Sequence, residues 1–273
     1  ERRDAMSKAA ICVVVPVYKA MATLDRCVES VLAQQVEGGL TCILVDDGSP
    51  DESGTLCDAW AAKDDRVTVI HQDDLGVSGA RNSGLAAADS EFIVFLDSDD
   101  ALRPGALQAA LTAQRAAPQD FVVWHYTTDE KDPAAVTADA EPRTQARLAR
   151  LWLDCLLAMP WNKLYRADLA KQLQFDVQYT LGEDLQFVLD YIALLGQTVP
   201  EFGYRVMTSP LTFYDCSRGG TLSTRYHANY CDIWPKHFAK LNAACHAAAC
   251  HAEDMRPVHR AELQVFAEGV ADI

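Results

Sequence analysis

Two groups of carboxylates follow apolar runs of the sequence and are the residues best suited to do chemistry. Asp46 and Asp47 come directly after CILV, and Asp97, Asp99 and Asp100 come after FIVFL. Crowded carboxylates repel one another unless a cation or hydrogen-bond donors compensate. Helix capping is the alternative use of such residues, because aspartate is a favoured N-cap. Two groups at neighbouring strand ends favour instead a site for a hard divalent cation, which takes oxygen ligands.

The elements that position these acids are strands alternating with helices over the first 126 residues. Continuous apolar, β-branched runs are typical of strands covered on both faces. They predict five strands, at residues 11–17, 42–45, 67–70, 92–96 and 121–126. Alternating strands and helices indicate a mostly parallel α/β sheet, in which ligands bind beyond the carboxyl ends of the strands. Both acidic groups fall at such ends.

Four helices are predicted between these strands. Thr23 is expected to cap the first helix, LDRCVESVLAQQ. The stretch SPDE at 49–52 has the pattern of a capping box, with Ser49 as N-cap, and opens a helix through Trp60. The other two helices are expected at residues 78–88 and after Pro104.

The second half of the sequence changes its pattern. Residues 129–142 are polar and contain two prolines, which indicates a surface loop. A helix at 144–159, an aromatic turn with the sequence PWNKLY, a helix at 183–195 and a helical tail from Tyr226 are predicted to follow.

Composition excludes several classes of partner. The 273 residues carry a net charge of −15, which argues against nucleic acid or an anionic membrane surface as the main partner. A phosphorylated ligand stays compatible if a divalent cation accompanies it. No apolar run reaches the ~18 residues of a transmembrane helix, and no signal peptide is recognisable. The sequence therefore predicts a cytoplasmic protein, with peripheral placement at the inner face of the membrane as an alternative.

The nine cysteines are an odd number without a CxxC pair, and they predict reduced, mostly buried thiols. The Cys-His pairs at 245–246 and 250–251 are spaced by five residues, which does not bring them to one helix face, so no metal site is expected there. Glu stands at position 1 in place of Met, which predicts a chain excised or processed from a longer one.

Several enzyme and signalling classes share single motifs with this sequence. The acidic pair of a phosphoacceptor receiver follows its first strand, and here ICVVVPV precedes it. The DxD of haloacid-dehalogenase-type phosphatases stands near the start of the chain, and here three strands precede it. GxGxxG after a strand and GK[ST] are absent, so dinucleotide and Walker-type sites are unsupported.

Five motifs in order resemble the inverting family 2 glycosyltransferases of GT-A fold. They are VVVPVYKAMATLDRCVESVLAQQ, CILVDDGSPDES, GVSGARNSGLAAADSEFIVFLDSDD, PWNKLYRADL and GEDLQF, and the resemblance covers roughly residues 11–223. It implies a GT-A domain over 10–223, with a nucleotide-sugar-binding half (10–126) and an acceptor-side half (127–223). Residues 224–273 are then a helical extension that serves the acceptor, an oligomer or the start of a larger polypeptide.

The resemblance implies donor-side roles for residues at the strand ends. Pro16, Val17 and Tyr18 lie against the nucleoside, Asp47 binds the nucleobase, and Arg81 lies near phosphate or base. Asp97, Ser98 and Asp99 form the DxD at the metal: Asp97 reaches the ribose or a metal-bound water, and Asp99 ligates Mn²⁺ or Mg²⁺. Arg81 has a surface ion pair as its alternative. The neighbouring acids Asp46 and Asp100 are interpreted as a turn residue and a capping residue, respectively. Uracil is favoured as the base, because a carboxylate at Asp47 accepts its N3–H.

The resemblance also implies catalytic and acceptor-side residues. Asp184 is the catalytic base and Glu183 orients the turn or the acceptor, with stabilisation of a helix N-terminus as the alternative. The acceptor-side or phosphate candidates are Trp161, Asn162, Lys163, Arg218 and Ser223. The alternative for Trp161 is a place in the core, and the alternative for Lys163 is exposure to solvent.

The implied function is metal-dependent, inverting transfer of a sugar from a nucleotide-diphosphate sugar, UDP-linked by preference, to a hydroxyl of a glycan or glycolipid. The alternative is a non-catalytic scaffold of the same fold that keeps its nucleotide pocket.

Overall fold

A nine-stranded mixed sheet runs through the part of the chain that the computed structural model describes, which is residues 8–179, 181–216, 230–250, 253 and 255–260. The strands are β1 (Ala9–Val17), β2 (Leu40–Asp47), β3 (Val67–Gln72), β4 (Ser90–Phe95), β5 (Ala101–Leu102), β6 (Phe121–Thr127), β7 (Ala140–Thr144), β8 (Lys163–Arg166) and β9 (Gly203–Phe213). The helices are α1 (Leu24–Leu32), α2 (Ser53–Lys63), α3 (Gly76–Ala87), α4 (Ala106–Ala116), α5 (Leu148–Leu153), α6 (Ala167–Ala170), α7 (Glu183–Thr198) and α8 (Tyr230–Ala247).

The first four long strands form the parallel half of the sheet, in the order β3-β2-β1-β4. The order continues with β8, β6, β9 and β5, and β7 pairs with β9. Strand β8 is antiparallel to both of its neighbours. The five strands predicted from apolar runs are all present, and the carboxyl ends of β1, β2 and β4 meet at one edge of the sheet.

Two hydrophobic layers cover the two faces of this sheet. Val14, Val45 and Phe95 pack on one face with residues of α3 and α7. Val13 and Leu44 belong to the opposite layer, with residues of α1, α2 and α4. Because successive side chains of a strand point to opposite faces, consecutive acids at the strand ends are directed into different layers. This alternation decides which acids can share a site.

The predicted capping box at 49–52 is not formed. Helix α2 begins at Ser53, and the N-cap position is Glu52, without a side-chain capping hydrogen bond. The Ser49 N–H donates to Asp46 Oδ1, and Ser49 Oγ accepts from the Lys19 N–H. Ser49 therefore ties the turns after β1 and β2 together, which removes it from the helix start. Thr23 does occupy the N-cap position of α1, but its hydroxyl donates to the Ala20 carbonyl and caps nothing.

The predicted loop at 129–142 and helix at 144–159 are corrected in part. Residues 140–144 form β7, which pairs antiparallel with residues 203–207 of β9. A 3₁₀ turn (Gln145–Arg147) then leads into the short helix α5, and Cys155 follows with a positive φ of 56°. Residues 140–144 form a strand because they pair with the backbone of β9, which is distant in the sequence. Local periodicity does not predict such a long-range pairing.

Helix α7 follows its prediction, with Leu185, Val188, Leu189 and Ile192 on its buried face. Helix α8 packs against α7 in the region expected to be a helical tail. None of the helices in the described part of the chain combines the length and the hydropathy needed to cross a membrane.

Gly84 allows helix α3 to lie close to the sheet. A Cβ atom there would stand 2.3 Å from Val14 Cγ1 in the buried strand β1. We expect Gly84→Ala to lower the free energy of unfolding by roughly 1–3 kcal/mol, because β1 is packed on both faces and cannot yield. Urea unfolding measures the change.

The matched control is Gly196→Ala in helix α7. The added Cβ there would make an ordinary 3.4 Å contact with Phe202. A helix interior gains up to ~1 kcal/mol from this replacement. Equal effects of the two substitutions would contradict the close approach of α3.

Candidate active site

The two acids at the end of β2, Asp46 and Asp47, face opposite sides of the sheet. Asp46 accepts hydrogen bonds from the Ser49 N–H (3.1 Å) and from His71 Nδ1 (2.9 Å) on the α2 side. Asp46 thus has the turn contact that the alternative interpretation assigned to it. Its neighbour Asp47 faces the other layer and is 3% exposed.

Asp100 is fully buried and accepts a hydrogen bond from the backbone N–H of Asp215 (3.0 Å). Burial, followed by the charge of Asp97, raises the pKa of Asp100 to about 9. Asp100 does not cap helix α4, whose N-cap position is Gly105. Its contact joins the loop after β4 to the end of β9, so the capping interpretation of Asp100 is wrong.

Asp47 lies at the last rung of the β2–β3 ladder. Its Oδ1 accepts from Gln72 Nε2 (2.6 Å) and from the Leu75 N–H (3.0 Å). Tyr18 is 44% exposed directly after the neighbouring strand β1, and Pro16, which pairs with Val45, is buried. Val17 packs into the opposite layer with α1, so its side chain does not face Asp47.

Arg81 of helix α3 joins two of the predicted site acids. Its Nη2 donates to Asp97 Oδ1 (2.9 Å) and its Nη1 donates to Asp184 Oδ1 (2.6 Å). The guanidinium is 3% exposed and lies over the Phe175 ring, 5.4 Å from its centroid. A buried charge is tolerated where such partners surround it. The alternative interpretation of Arg81 as a surface ion pair is therefore wrong, and two of its donors are engaged by carboxylates; its place near phosphate or base stays a prediction.

Asp184 opens helix α7 on the far side of Arg81. Its carboxylate keeps 29% of its surface exposed, while Glu183 beside it is buried. Burial raises the pKa of Asp184 to about 7; the Arg81 charge opposes this shift, and the charges of Glu183 and Asp97 add to it. An aspartate with a raised pKa and a partly exposed carboxylate has the properties of a general base near neutral pH.

Arg26 of helix α1 is a site-edge residue that the sequence did not indicate. Its Nη2 donates to the Asp99 carbonyl and to Asp215 Oδ2, both at 2.6 Å. The backbone of the DxD segment is thereby held to α1 and to the end of β9. The side chains of Asp97, Ser98 and Asp99 are all half-buried at this edge.

The acceptor-side candidates of the PWNKLY turn are buried. Trp161 is 3% exposed, stacks on Tyr214 (centroids 5.4 Å apart) and meets Tyr126 edge-on. Asn162 donates to the Trp124 carbonyl (3.0 Å). These contacts place Trp161 and Asn162 in the core, and the two rings that contact Trp161, Tyr126 and Tyr214, belong to half-buried residues.

Lys163 is also a structural residue. Its Nζ donates to the Leu156 carbonyl (2.7 Å) and to Asn162 Oδ1 (2.6 Å), and burial lowers the pKa of Lys163 well below its ordinary value. This buried position agrees with none of the three roles considered for Lys163, which are contact with a phosphate, contact with the acceptor and exposure to solvent. Arg218 and Ser223 lie outside the described residues.

Comparison with known proteins identifies the family. The model named Glycosyl transferase family 2 matches residues 12–174. The chain belongs to this family. The glycosyltransferase GlyG of Streptococcus pneumoniae is 39% identical over 124 residues, which are 45% of this chain and 41% of GlyG. The chain spans about half the length of the curated bacterial glycosyltransferases that it matches.

Solved structures confirm the predicted GT-A fold of this family 2 glycosyltransferase chain. TarS of S. aureus, in complex with UDP-GlcNAc, superposes with a TM-score of 0.69 at 18% identity, over 96% of this chain and 71% of the TarS chain. The mannosyltransferase PcManGT from Pyrobaculum calidifontis, in complex with GDP-Man and Mn²⁺, has a TM-score of 0.61 at 17% identity, over 97% and 74% of the two chains.

The donor set of this family 2 chain fits a divalent cation. Asp97 and Asp99 supply carboxylates at one edge, and Arg81 donates a hydrogen bond to Asp97 Oδ1. No cluster of three or more potential side-chain ligands exists among the described residues. Mg²⁺ and related ions are commonly held by one or two carboxylates together with substrate phosphates. Two aspartates are a donor set of the kind that binds a cation together with a diphosphate.

Proposed function

We propose that the chain is the catalytic domain of an inverting glycosyltransferase that moves a sugar from a UDP-sugar to a hydroxyl of a glycan or glycolipid. The observation that carries this proposal is the Asp97–Arg81–Asp184 bridge, which places a donor-side acid and a raised-pKa acid on either side of one buried cation. The GT-A domain spans residues 10–223 in this proposal.

The donor lies along the carboxyl ends of β1, β2 and β4. Asp47 accepts the N3–H of uracil, and Tyr18 covers a face of the nucleoside. Asp97 and Asp99 would hold Mn²⁺ or Mg²⁺, and a bound ion would supply positive charge to stabilise the departing diphosphate. The binding of UDP-GlcNAc by TarS supports a uridine donor, and the PcManGT complex supports use of a divalent cation.

Asp184 deprotonates the acceptor hydroxyl as that oxygen attacks the anomeric carbon. A single displacement inverts the configuration and needs one base, not the carboxylate pair of a glycosidase. Arg81 holds the Asp184 carboxylate in place and favours its ionised form, because a cation within hydrogen-bond distance stabilises the anion. Glu183, buried beside it, orients the first turn of α7.

The dependence of turnover on pH tests this assignment. We expect release of UDP from UDP-GlcNAc in the presence of Mn²⁺ to fall as the pH is lowered through about 7, because protonated Asp184 cannot accept a proton. An ordinary aspartate titrates near ~3.9 and would leave the rate unchanged in this range. Initial rates from about pH 5 to about pH 9 give the profile.

Binding of UDP over the same pH range is the control, since Asp184 does not contact the nucleotide in this proposal. Flat UDP affinity with a falling rate is the expected pattern. A rate that stays constant down to about pH 5 would contradict the role of Asp184, and absence of UDP release at every pH would contradict the proposed activity.

A further inference from the structure

The last two rungs of the β2–β3 ladder pair each acid with a polar residue of β3. In register, Asp46 lies opposite His71 and Asp47 lies opposite Gln72. Each pair is hydrogen-bonded through its side chains, Asp46 to His71 at 2.9 Å and Asp47 to Gln72 at 2.6 Å. Because consecutive residues face opposite sides of a sheet, the His71 pair lies on the α2 side and the Gln72 pair on the side of the proposed nucleobase.

The two oxygens of the Asp47 carboxylate differ in the hydrogen bonds that they accept. Its Oδ1 receives two donors, the Gln72 amide and the Leu75 N–H at the start of α3. A carboxylate oxygen has two lone-pair sites, so both sites of Oδ1 are filled. No donor from the described residues reaches Oδ2. Asp47 can therefore offer an incoming base one acceptor oxygen.

We propose that Gln72 sets the nucleobase preference of the site by keeping Asp47 a single acceptor. This proposal rests on the proposed function, in which Asp47 meets the base. Uracil presents one N–H between two carbonyls and is matched by one oxygen. Guanine presents two adjacent donors, N1–H and the 2-amino group, and needs both carboxylate oxygens. With Oδ1 occupied, one guanine donor is left without an acceptor, which penalises binding.

The surroundings of Asp47 agree with a flat apolar ligand such as a base. Tyr18 and Leu75 are among the four exposed large hydrophobic residues of the described chain, with 44% and 59% of their surface accessible. Tyr18 follows the end of β1, which pairs with β2, and the backbone of Leu75 contacts Asp47 directly. Exposed apolar side chains beside a buried acceptor mark a place where a ligand covers them.

The test compares dissociation constants for UDP and GDP by calorimetry in the presence of Mn²⁺. We expect the parent to bind UDP more tightly. In Gln72→Leu the freed lone pair of Oδ1 should improve GDP binding relative to UDP binding. The dissociation constant for GDP divided by that for UDP should therefore fall by about tenfold. Gln72→Asn is the second variant, because its side chain is one methylene shorter and stays polar, and it should change the ratio in the same direction.

His71→Leu is the matched control. It removes the neighbouring pair on the opposite face of the sheet and should leave the ratio unchanged. A parent that binds GDP as tightly as UDP, or an unchanged ratio in both Gln72 variants, would overturn the role of Gln72 while leaving the donor site intact. Failure of the parent to bind either nucleotide would overturn the proposed function itself, and this inference with it.

Discussion

Asp184→Asn is expected to lower the rate of UDP release from UDP-GlcNAc by roughly 10²–10⁴-fold with the affinity for UDP nearly unchanged. The amide keeps the size of the side chain and its hydrogen bond with Arg81 is retained through the amide oxygen, but it cannot take up a proton. The helix N-terminus stays polar, so the loss is one of chemistry. Initial rates and calorimetric UDP binding on the same preparations measure the two quantities.

The control for this substitution is Asp190→Asn in the same helix. Asp190 pairs with Lys240 at 2.7 Å and is 40% exposed. An exposed pair of this kind contributes about 0–1 kcal/mol, and we expect the rate of this variant to equal that of the parent. An Asp184→Asn protein that melts at a lower temperature but releases UDP at the parent rate would show that Asp184 merely stabilises the helix start.

Asp99→Ala is expected to abolish the Mn²⁺-dependent part of UDP binding and to weaken affinity at least ~100-fold. Loss of residues that only support metal ligands already costs about 10–100-fold in metal affinity, and Asp99 is proposed as a ligand itself. The net charge of −15 adds to the effect, because a diphosphate is repelled when no cation accompanies it. Calorimetry with Mn²⁺ and with EDTA measures both contributions.

Asp89→Ala is the matched control for Asp99→Ala. Asp89 precedes the opposite end of β4, where it pairs with Lys8 and is 86% exposed. The substitution Asp89→Ala removes one negative charge, as Asp99→Ala does, but far from the edge of the sheet formed by the carboxyl ends of the parallel strands. We therefore expect UDP binding to be unchanged. Tight binding of UDP by Asp99→Ala in Mn²⁺ would exclude Asp99 as a metal ligand.

The parallel half of the sheet could be predicted from sequence because its signal is local. Continuous apolar runs gave β1 to β4, and the acids at their ends were placed at the correct edge. The division of those acids between two layers also follows from period-two alternation, since Val14 and Val45 share a face with Phe95. Applied one residue further, the same alternation separates Asp46 from Asp47 before any coordinates are known.

The contacts across the site could not be predicted in this way. Arg81 and Asp184 are separated by 103 positions, and nothing in either motif indicates that a single guanidinium joins Asp184 to Asp97. The predicted ligand contacts of the PWNKLY turn were wrong for a related reason. Lys163 is charged and was expected at a ligand or in solvent, but the backbone carbonyls that bury its Nζ come from the preceding loop, whose shape the sequence does not reveal.

The central claim is that the two acids bridged by Arg81 have separate tasks, with the DxD binding the donor and Asp184 carrying out proton transfer. The most direct measurement is UDP affinity and UDP release in Mn²⁺ for three proteins: the parent, Asp99→Ala and Asp184→Asn. The account predicts that Asp99→Ala loses affinity, while Asp184→Asn binds UDP as the parent does and loses the rate. Parallel loss of affinity and rate in both variants, or retention of both, would contradict it.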